Sequence, residues 1–376
     1  MEVTLGSNLI RYEAFPSQTE LSLSPRRHAN QRTNSGPDPW YRAMNDPLID
    51  TRGRALRDVR ISLTDHCNLR CTYCMPKGRD GLSFLPNPEL LTFEEIGRVV
   101  ATLATLGLRK VKLTGGEPLL RKNLPDLVGQ LRASHPGLEI NLITNGVLLS
   151  EVALTLHAAG LTRMTVSLDG LRPQRLHAMS GRGDLAARAL DGIEAALNAG
   201  FAPLKINMVV IRGVNDDEVE EMAARFRGPH TILRFIEYMD VGTLNRWRRA
   251  DVVPSSEILS RLRKQSDLLA VDPAHQGETA RRYRYADGSG EIGFISSVTE
   301  PFCGDCNRLR VTADGTVHTC LFSSAGLNLR PNLGEGDGER LQAMLSAVWR
   351  QRRDQYSVER SHVPARHKLE MFSMGG

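Results

Sequence analysis

Between residues 59 and 240 the chain repeats one rhythm of apolar and polar positions. Short β-branched or apolar runs recur at VRISLT (59–64), KVKLTGG (110–116), LEINLITNG (138–146), MTVSLDG (164–170), LKINMVVIRG (204–213) and ILRFIEYMD (232–240). Most are separated by 3.6-period patterns such as TFEEIGRVVATLATLG (92–107) and DLAARALDGIEAALNAG (184–200). This alternation, with glycines after the helices, predicts a parallel sheet of βα units. Six units predict an α/β fold, an incomplete (β/α)6-type TIM-like barrel rather than the full eight. A doubly wound open sheet is the rival. Polar residues gather at the C-terminal ends of the strands: Thr64-Asp65, Gly115-Gly116-Glu117-Pro118, Thr144-Asn145-Gly146, Ser167-Leu168-Asp169-Gly170 and Met239-Asp240. Ligands bind at that edge in parallel βα architectures, although Gly, Asn and Asp also simply make turns there.

Near residue 276 the rhythm changes. RRYRYADGSGEIGFI and RLRVTADGTVHTC read as β-hairpins turning at Asp287-Gly288 and Asp314-Gly315. The second hairpin carries Cys320 back towards Cys303 and Cys306. A helix over about 338–354 and a polar tail follow. The expected organisation is a barrel domain over 47–275 and a mixed α+β C-terminal extension over 276–376. Residues 1–46, rich in Ser, Pro, Asn and Arg, read as a disordered extension; Glu2, Glu13 and Glu20 argue against a transit peptide.

A chain of 376 residues, 24% charged and 41% hydrophobic, can bury a full core. Its net charge of +5 and pI near 9.0 suit an anionic ligand but give no ground for nucleic-acid binding. No apolar run reaches the roughly 18 residues of a membrane span, and no secretory segment is visible. The expectation is a cytoplasmic protein with no membrane partner; monomer and homodimer both fit.

The six cysteines fall into two trios: Cys67, Cys71, Cys74 and Cys303, Cys306, Cys320. Without an export signal, grouped cysteines read as metal or redox ligands rather than disulfides. The spacing C-x3-C-x2-C just after a strand suits a [4Fe–4S] cluster on three thiolates. One iron is then open. It can chelate S-adenosylmethionine, whose reductive cleavage yields a 5′-deoxyadenosyl radical, chemistry beyond any side chain. CNLRCTYC together with GGEP resembles the signature of the radical S-adenosylmethionine superfamily, and Tyr73 fits the aromatic seen before the third cysteine. A zinc knuckle completed by His66 is the alternative.

The second trio, C-x2-C-x13-C, is less specific. A zinc site completed by His318 is open, since strand alternation would put His318 and Cys320 on one face. A second [4Fe–4S] cluster, again with a free iron, is the other reading, and that iron is a place to hold substrate.

Arg60, Lys112 and Lys205 lie inside apolar strands, where an unpaired charge is costly. Singly, each could snorkel outwards or pair with a carboxylate such as Glu237. Together, with Arg308 and Arg310 beside the second trio, they point to one cavity for a polyphosphate. No P-loop sequence is present, so side chains would have to hold it.

Two cysteine trios, the second inside FCGDCNRLR, closely resemble the GTP 3′,8-cyclase family, which catalyses the first step of molybdenum cofactor biosynthesis. The resemblance runs from about Asp46 to Gly376. It implies that the radical takes H3′ of GTP and that C3′ bonds to guanine C8, giving 3′,8-cyclo-7,8-dihydro-GTP. It further implies two [4Fe–4S] clusters, the second binding the base, an external electron donor, and a downstream cyclic pyranopterin monophosphate synthase. It carries Arg60, Lys112, Lys205, Arg308, Leu309 and Arg310 to GTP contacts, with Arg308 and Arg310 also catalytic. It carries Tyr73, Gly116, Ser167 and Met239 to S-adenosylmethionine. Where the family commonly reads Thr-Thr-Asn-Gly, this chain has Ile143-Thr144-Asn145-Gly146, so Ile143 lacks the hydroxyl of a nucleotide contact. Relatives also end in Gly-Gly, which implies an active-site role for Gly375 and Gly376. Two other classes compete: a peptide-modifying radical enzyme, and a zinc-binding interaction protein.

Overall fold

The computed structural model describes residues 47–76, 83–361 and 368–375. The expected N-terminal extension (1–46) and Gly376 lie outside the described residues. Six parallel strands lie side by side in chain order: β1 (Asp58–Ser62), β2 (Lys110–Thr114), β3 (Glu139–Thr144), β4 (Arg163–Ser167), β5 (Leu204–Val210) and β6 (Thr231–Glu237). Helices α1 (Phe93–Thr105), α2 (Leu124–Ser134), α3 (Leu149–Ala158), α4 (Pro173–Ser180), α5 (Gly183–Asn198) and α6 (Val219–Arg225) connect them, and α7 (Ser255–Arg263) follows β6. Sequential order means that each crossover steps the same way. Right-handed crossovers then put the helices on one face, which winds the sheet into a partial barrel and excludes the doubly wound rival.

The C-terminal strands extend this sheet at both edges. At one edge β9 (Glu291–Ile295) pairs parallel to β6, and β8 (Arg281–Tyr285) and β7 (Leu268–Val271) continue antiparallel. At the other, β10 (Arg308–Val311) pairs parallel to β1, followed antiparallel by β11 (Thr316–His318) and β12 (Leu327–Asn328). The hairpins expected around Asp287-Gly288 and Asp314-Gly315 are β8–β9 and β10–β11. The antiparallel segment starts at Leu268, before residue 276.

Period-two alternation divides the barrel strands cleanly. Val59, Ile61, Val111, Leu113, Ile140 and Leu142 are fully buried against the helices. Their neighbours Arg60, Lys112, Asn141, Thr165, Lys205 and Arg234 line the concave face. A sheet covered by apolar layers on both faces would read as continuous hydrophobic runs; this one instead wraps a polar cavity. Helix α1 shows how the outer layer is specified. Thr92 and Glu95 form a capping box, with Glu95 N donating to Thr92 Oγ1 (3.2 Å) and Thr92 N to Glu95 Oε2 (2.8 Å). Ile96, Val99, Val100, Leu103 and Ala104 then form its buried stripe. A further helix, α8 (Gly338–Arg350), buries Leu341, Leu345 and Trp349.

Candidate active site

Two adjoining hollows share Tyr73, Ile143, Ser167, Asp169 and Met371 in their walls. Cys67, Cys71 and Cys74, on the loop after β1, line the smaller one together with Gly116 and Ser167. That loop is pinned from two sides. Arg70 N and Thr72 N donate to the carbonyls of Ser180 and Met179 at the end of α4 (2.8 and 2.9 Å), and Gly116 N and Glu117 N donate to Thr64 O and His66 O (2.6 and 2.8 Å). A Cβ on Gly116 would collide with the His66 carbonyl oxygen, so only glycine lets the GGEP turn lie against the cysteine loop. Buried Glu117 accepts from Thr144 Oγ1 and Asn145 N, both at 2.7 Å; burial still pushes its carboxyl up to about 7.

The sulfurs of this loop receive neutral donors. Leu69 N lies 3.4 Å from Cys67 Sγ, and the Phe372 backbone N–H donates to Cys74. Burial pushes the Cys67 thiol up to about 11, with Glu117 adding to the effect. The Tyr73 hydroxyl donates to Asp169 Oδ2 (2.8 Å), and Val209 N holds Oδ1 of the same carboxylate (2.8 Å). His66, the candidate fourth zinc ligand, instead has its Nε2 3.2 Å from Leu85 O and its ring beside Phe84.

Cys303, Cys306 and Cys320 line the larger hollow, which also gathers Arg60, Lys112, Lys205, Arg308 and Arg310. The strand register explains this convergence. Arg310, Arg60, Lys112 and Asn141 stand in one row across β10, β1, β2 and β3. Lys112 Nζ pairs with Asp58 Oδ2 at 2.7 Å. Burial pulls its ammonium down to about 7 against the attraction of Asp58. Glu237, the carboxylate considered as a partner for these cations, instead accepts from the backbone of Ser255, Val298 and Thr299, each at 2.9 Å. Burial lowers Arg60 and Lys205 to about 10 and 8.

Cys306 lies between two guanidinium groups, with Arg352 Nη2 3.1 Å and Arg308 Nη2 3.3 Å from its sulfur. Although burial alone would raise this thiol, the two arginines pull it down to about 6. His318, the zinc alternative for this trio, is buried in β11 with Nδ1 3.1 Å from Ala325 O, and it is not among the residues lining the hollow. Among the described residues no three His, Cys, Asp or Glu side chains converge to hold a single metal ion. Three thiols around an open hollow, with N–H donors on their sulfurs, are a donor set that fits an iron–sulfur cluster at each place.

Other expected residues fall as follows. Met239 lines the larger hollow and Ile143 both. Leu309 is fully buried in the apolar core; its side chain faces away from the hollow, so only its backbone could meet a ligand, because alternation sends Arg308 and Arg310 inwards and Leu309 outwards. Arg310 Nη1 donates to Met374 O (2.8 Å) and Gly375 O (3.1 Å), which brings the C-terminal tail to the barrel. Gly375 has φ +68°, and a Cβ there would lie 2.5 Å from Thr114 Oγ1.

Arg234 is a lining cation that the sequence reading did not single out. It stands on β6 in the larger hollow, bonded to Asn207 Oδ1 (2.9 Å) and lowered by burial to about 10. Its signal was the one used for Lys205, a cation inside the apolar run ILRFIE.

Residues 61–226 match the model of the Radical SAM superfamily, and residues 231–358 match Molybdenum Cofactor Synthesis C. Together with the barrel and the cysteine loop, this defines a radical S-adenosylmethionine enzyme, a class that implies a [4Fe–4S] cluster and S-adenosylmethionine. The GTP 3′,8-cyclase of Xanthomonas axonopodis pv. citri is 47% identical over 89% of this chain and all of its own. That of Acidothermus cellulolyticus is 48% identical with the same coverage, and that of Aquifex aeolicus 42% identical over 88% of this chain and all of its own. The chain belongs to the GTP 3′,8-cyclase family. Streptococcus suis SuiB bound to its precursor peptide SuiA shares the fold alone, at TM-score 0.54 and 14% identity over 79% of this chain and 66% of its own. Among the described residues no helix is long and apolar enough to cross a membrane.

Proposed function

We propose that the chain converts GTP to 3′,8-cyclo-7,8-dihydro-GTP in the adjoining hollows, with Cys67, Cys71 and Cys74 holding one [4Fe–4S] cluster and Cys303, Cys306 and Cys320 a second. When bound, the first cluster and S-adenosylmethionine supply the radical that removes H3′ of GTP. Tyr73, Gly116, Ser167 and Met239 hold the cofactor, Asp169 fixing the Tyr73 hydroxyl. Arg60, Lys112, Lys205 and Arg234 hold the triphosphate, and Arg308, Arg310 and the Leu309 backbone meet the nucleotide beside the second trio. Fixing the base at one trio and the phosphates on the strand cations leaves the ribose facing the first trio, which brings C3′ and C8 into attack geometry. Arg310, which lines this space, also holds Met374 O and Gly375 O, which supports a role for the Gly375-Gly376 end in the reaction. An external electron donor supplies the reducing electrons, and a cyclic pyranopterin monophosphate synthase consumes the product.

The observation that carries this reading is the shared wall. Tyr73, Ile143, Ser167, Asp169 and Met371 border both hollows, so one ligand can reach from the cation row to the first cysteine loop. The test is isotopic. Reduced, anaerobically reconstituted protein given GTP deuterated at the ribose 3′ carbon should yield deuterated 5′-deoxyadenosine. Unlabelled 5′-deoxyadenosine would rule the assignment out.

A further inference from the structure

The two cysteine trios stand in opposite electrostatic surroundings. Around the first, the charges nearest the sulfurs are mostly carboxylates: Glu117 near Cys67, Asp169 near Cys71 and Glu370 near Cys74. Its nearby cation, Arg70, spends its Nη1 on the carbonyls of Cys67 and Leu69 (2.8 and 2.7 Å) rather than on a sulfur. Around the second, two guanidinium groups donate directly to Cys306 Sγ.

Arg352 is the more telling of the two, because it reaches the same hollow from outside the barrel strands. It sits just past α8 with only 3% of its surface exposed. It donates Nη1 to Cys306 O (2.5 Å) and Nη2 to Cys306 Sγ (3.1 Å), and its guanidinium lies 4.6 Å from the Trp349 ring centre. Asp50 and Asp354, each 3.6 Å away, balance part of its charge. Arg54, equally buried, grips Asp50 (2.6 Å) and the Cys303 carbonyl (2.8 Å). Burying this many charges is expensive, and their focus is the Cys303–Cys306 turn.

We infer that Arg352 is a positioning residue that raises the reduction potential of the second cluster, so that the chain holds its two clusters at different potentials, the first the lower. This rests on the reading that both trios carry clusters. Reduction adds negative charge, which a neighbouring cation and N–H donors to sulfur favour and neighbouring carboxylates oppose. Cleavage of a sulfonium needs the stronger reductant, and the carboxylates surround that site. Holding a purine needs none, and the arginines surround that one.

The experiment is an EPR-monitored redox titration of the reconstituted full chain, with iron counted in the same samples. The second cluster's signal is identified as the one lost in Cys320→Ser. In wild type that signal should titrate at the higher potential. In Arg352→Gln it should move lower by about tenfold in the reduced-to-oxidised ratio, roughly 59 mV for one electron, while the first cluster's signal stays in place. Arg352→Lys, which keeps the charge but not the paired donors, should move less. An unchanged potential in Arg352→Gln with iron intact overturns the inference and leaves the two-cluster reading standing. Should Arg352→Gln lose iron, Arg352→Lys decides: a lower potential supports the inference and an unchanged one overturns it. About four irons per wild-type chain overturns the two-cluster reading itself, and the inference with it.

Discussion

Lys205 on β5 is a single buried cation on which the proposed phosphate role can be tested. Burial, with repulsion from Arg234, Arg163 and Lys110 and some relief from Glu139, brings its ammonium to about 8. A polyphosphate favours the charged form, so in the proposed phosphate role its contribution to GTP affinity would be full below that value and fade as pH rises through it. The KM for GTP should therefore climb between pH 7 and 9, by at most about tenfold per unit from this group. Lys205→Arg should remove this group's share of the climb, because a guanidinium stays charged, and leave the share of Lys112, whose ammonium is lowered to about 7. Lys205→Ala should weaken GTP by about 1.5–3 kcal/mol at pH 7, as loss of a charged hydrogen bond does; an unchanged KM would remove Lys205 from the phosphate site. Gly375 makes the complementary case for a residue without a side chain. Its positive φ and the Thr114 hydroxyl 2.5 Å from a would-be Cβ leave no room for alanine. Gly375→Ala should lower product formation at least tenfold with iron content unchanged, and Thr114→Ala added to it should recover part of the loss; failure of both would make the tail a bystander. At this scale much was legible. A cation at an alternating position in an apolar run has few explanations, and Arg60, Lys112 and Lys205 do line one hollow. Arg234 obeyed the same rule and was overlooked. Arg352 lies in the charged stretch WRQRRDQ (349–355), where nothing distinguishes a buried arginine from its exposed neighbours.

Elements were legible where their signals are local. The capping box at Thr92 and Glu95 starts α1 one residue from where the sequence pattern begins, and the Asp-Gly pairs turn the two hairpins. The tail was not legible, because its anchor is remote in sequence. Asp240, past the end of β6, accepts from Tyr356 Oη (2.6 Å), Arg360 Nε (2.9 Å) and Lys368 Nζ (2.7 Å). Glu370 accepts from Thr243 N and Oγ1, both at 2.9 Å. No periodicity could pair residue 240 with residue 368. Burial opposes the Asp240 charge, yet Lys368, Tyr356 and Arg360 hold its carboxyl below the usual range. Asp240→Asn would leave two largely buried cations short of a counter-charge, a loss of about 3–5 kcal/mol for a broken buried pair. We expect faster amide exchange across residues 368–375 and at least a tenfold drop in kcat, with α1–α5 exchanging as before. Unchanged exchange in the tail would show that Arg310 alone is enough to hold it.

At the scale of the whole molecule, the six βα units could be counted along the chain, but the partners of β9 and β10 could not. Each pairs with a strand distant in sequence, and these pairings turn a separate-looking extension into both flanks of the barrel sheet. That arrangement has a functional consequence. Because β10 lies beside β1, Arg308 and Arg310 stand in register with Asp58 and Arg60, and the second cysteine trio faces the same hollow as the strand cations. The first trio borders the adjoining hollow, and all three of its cysteines lie on the β1 loop. The molecule should therefore tolerate loss of the second site without losing the first. Cys320→Ser should keep the barrel folded and the first cluster in place, with iron falling from about eight to about four per chain if both clusters are cubanes. S-adenosylmethionine should still be cleaved under reducing conditions, but 5′-deoxyadenosine should no longer acquire deuterium from 3′-labelled GTP, because on the proposed reading the base would lose its anchor and C3′ would no longer face the radical. The comparison that decides is between the two readouts. If label transfer survives at its wild-type share of 5′-deoxyadenosine, the strand cations alone orient the nucleotide. If cleavage disappears together with transfer, the two halves of the cavity depend on each other for folding, and the independence read from the β1 loop is wrong.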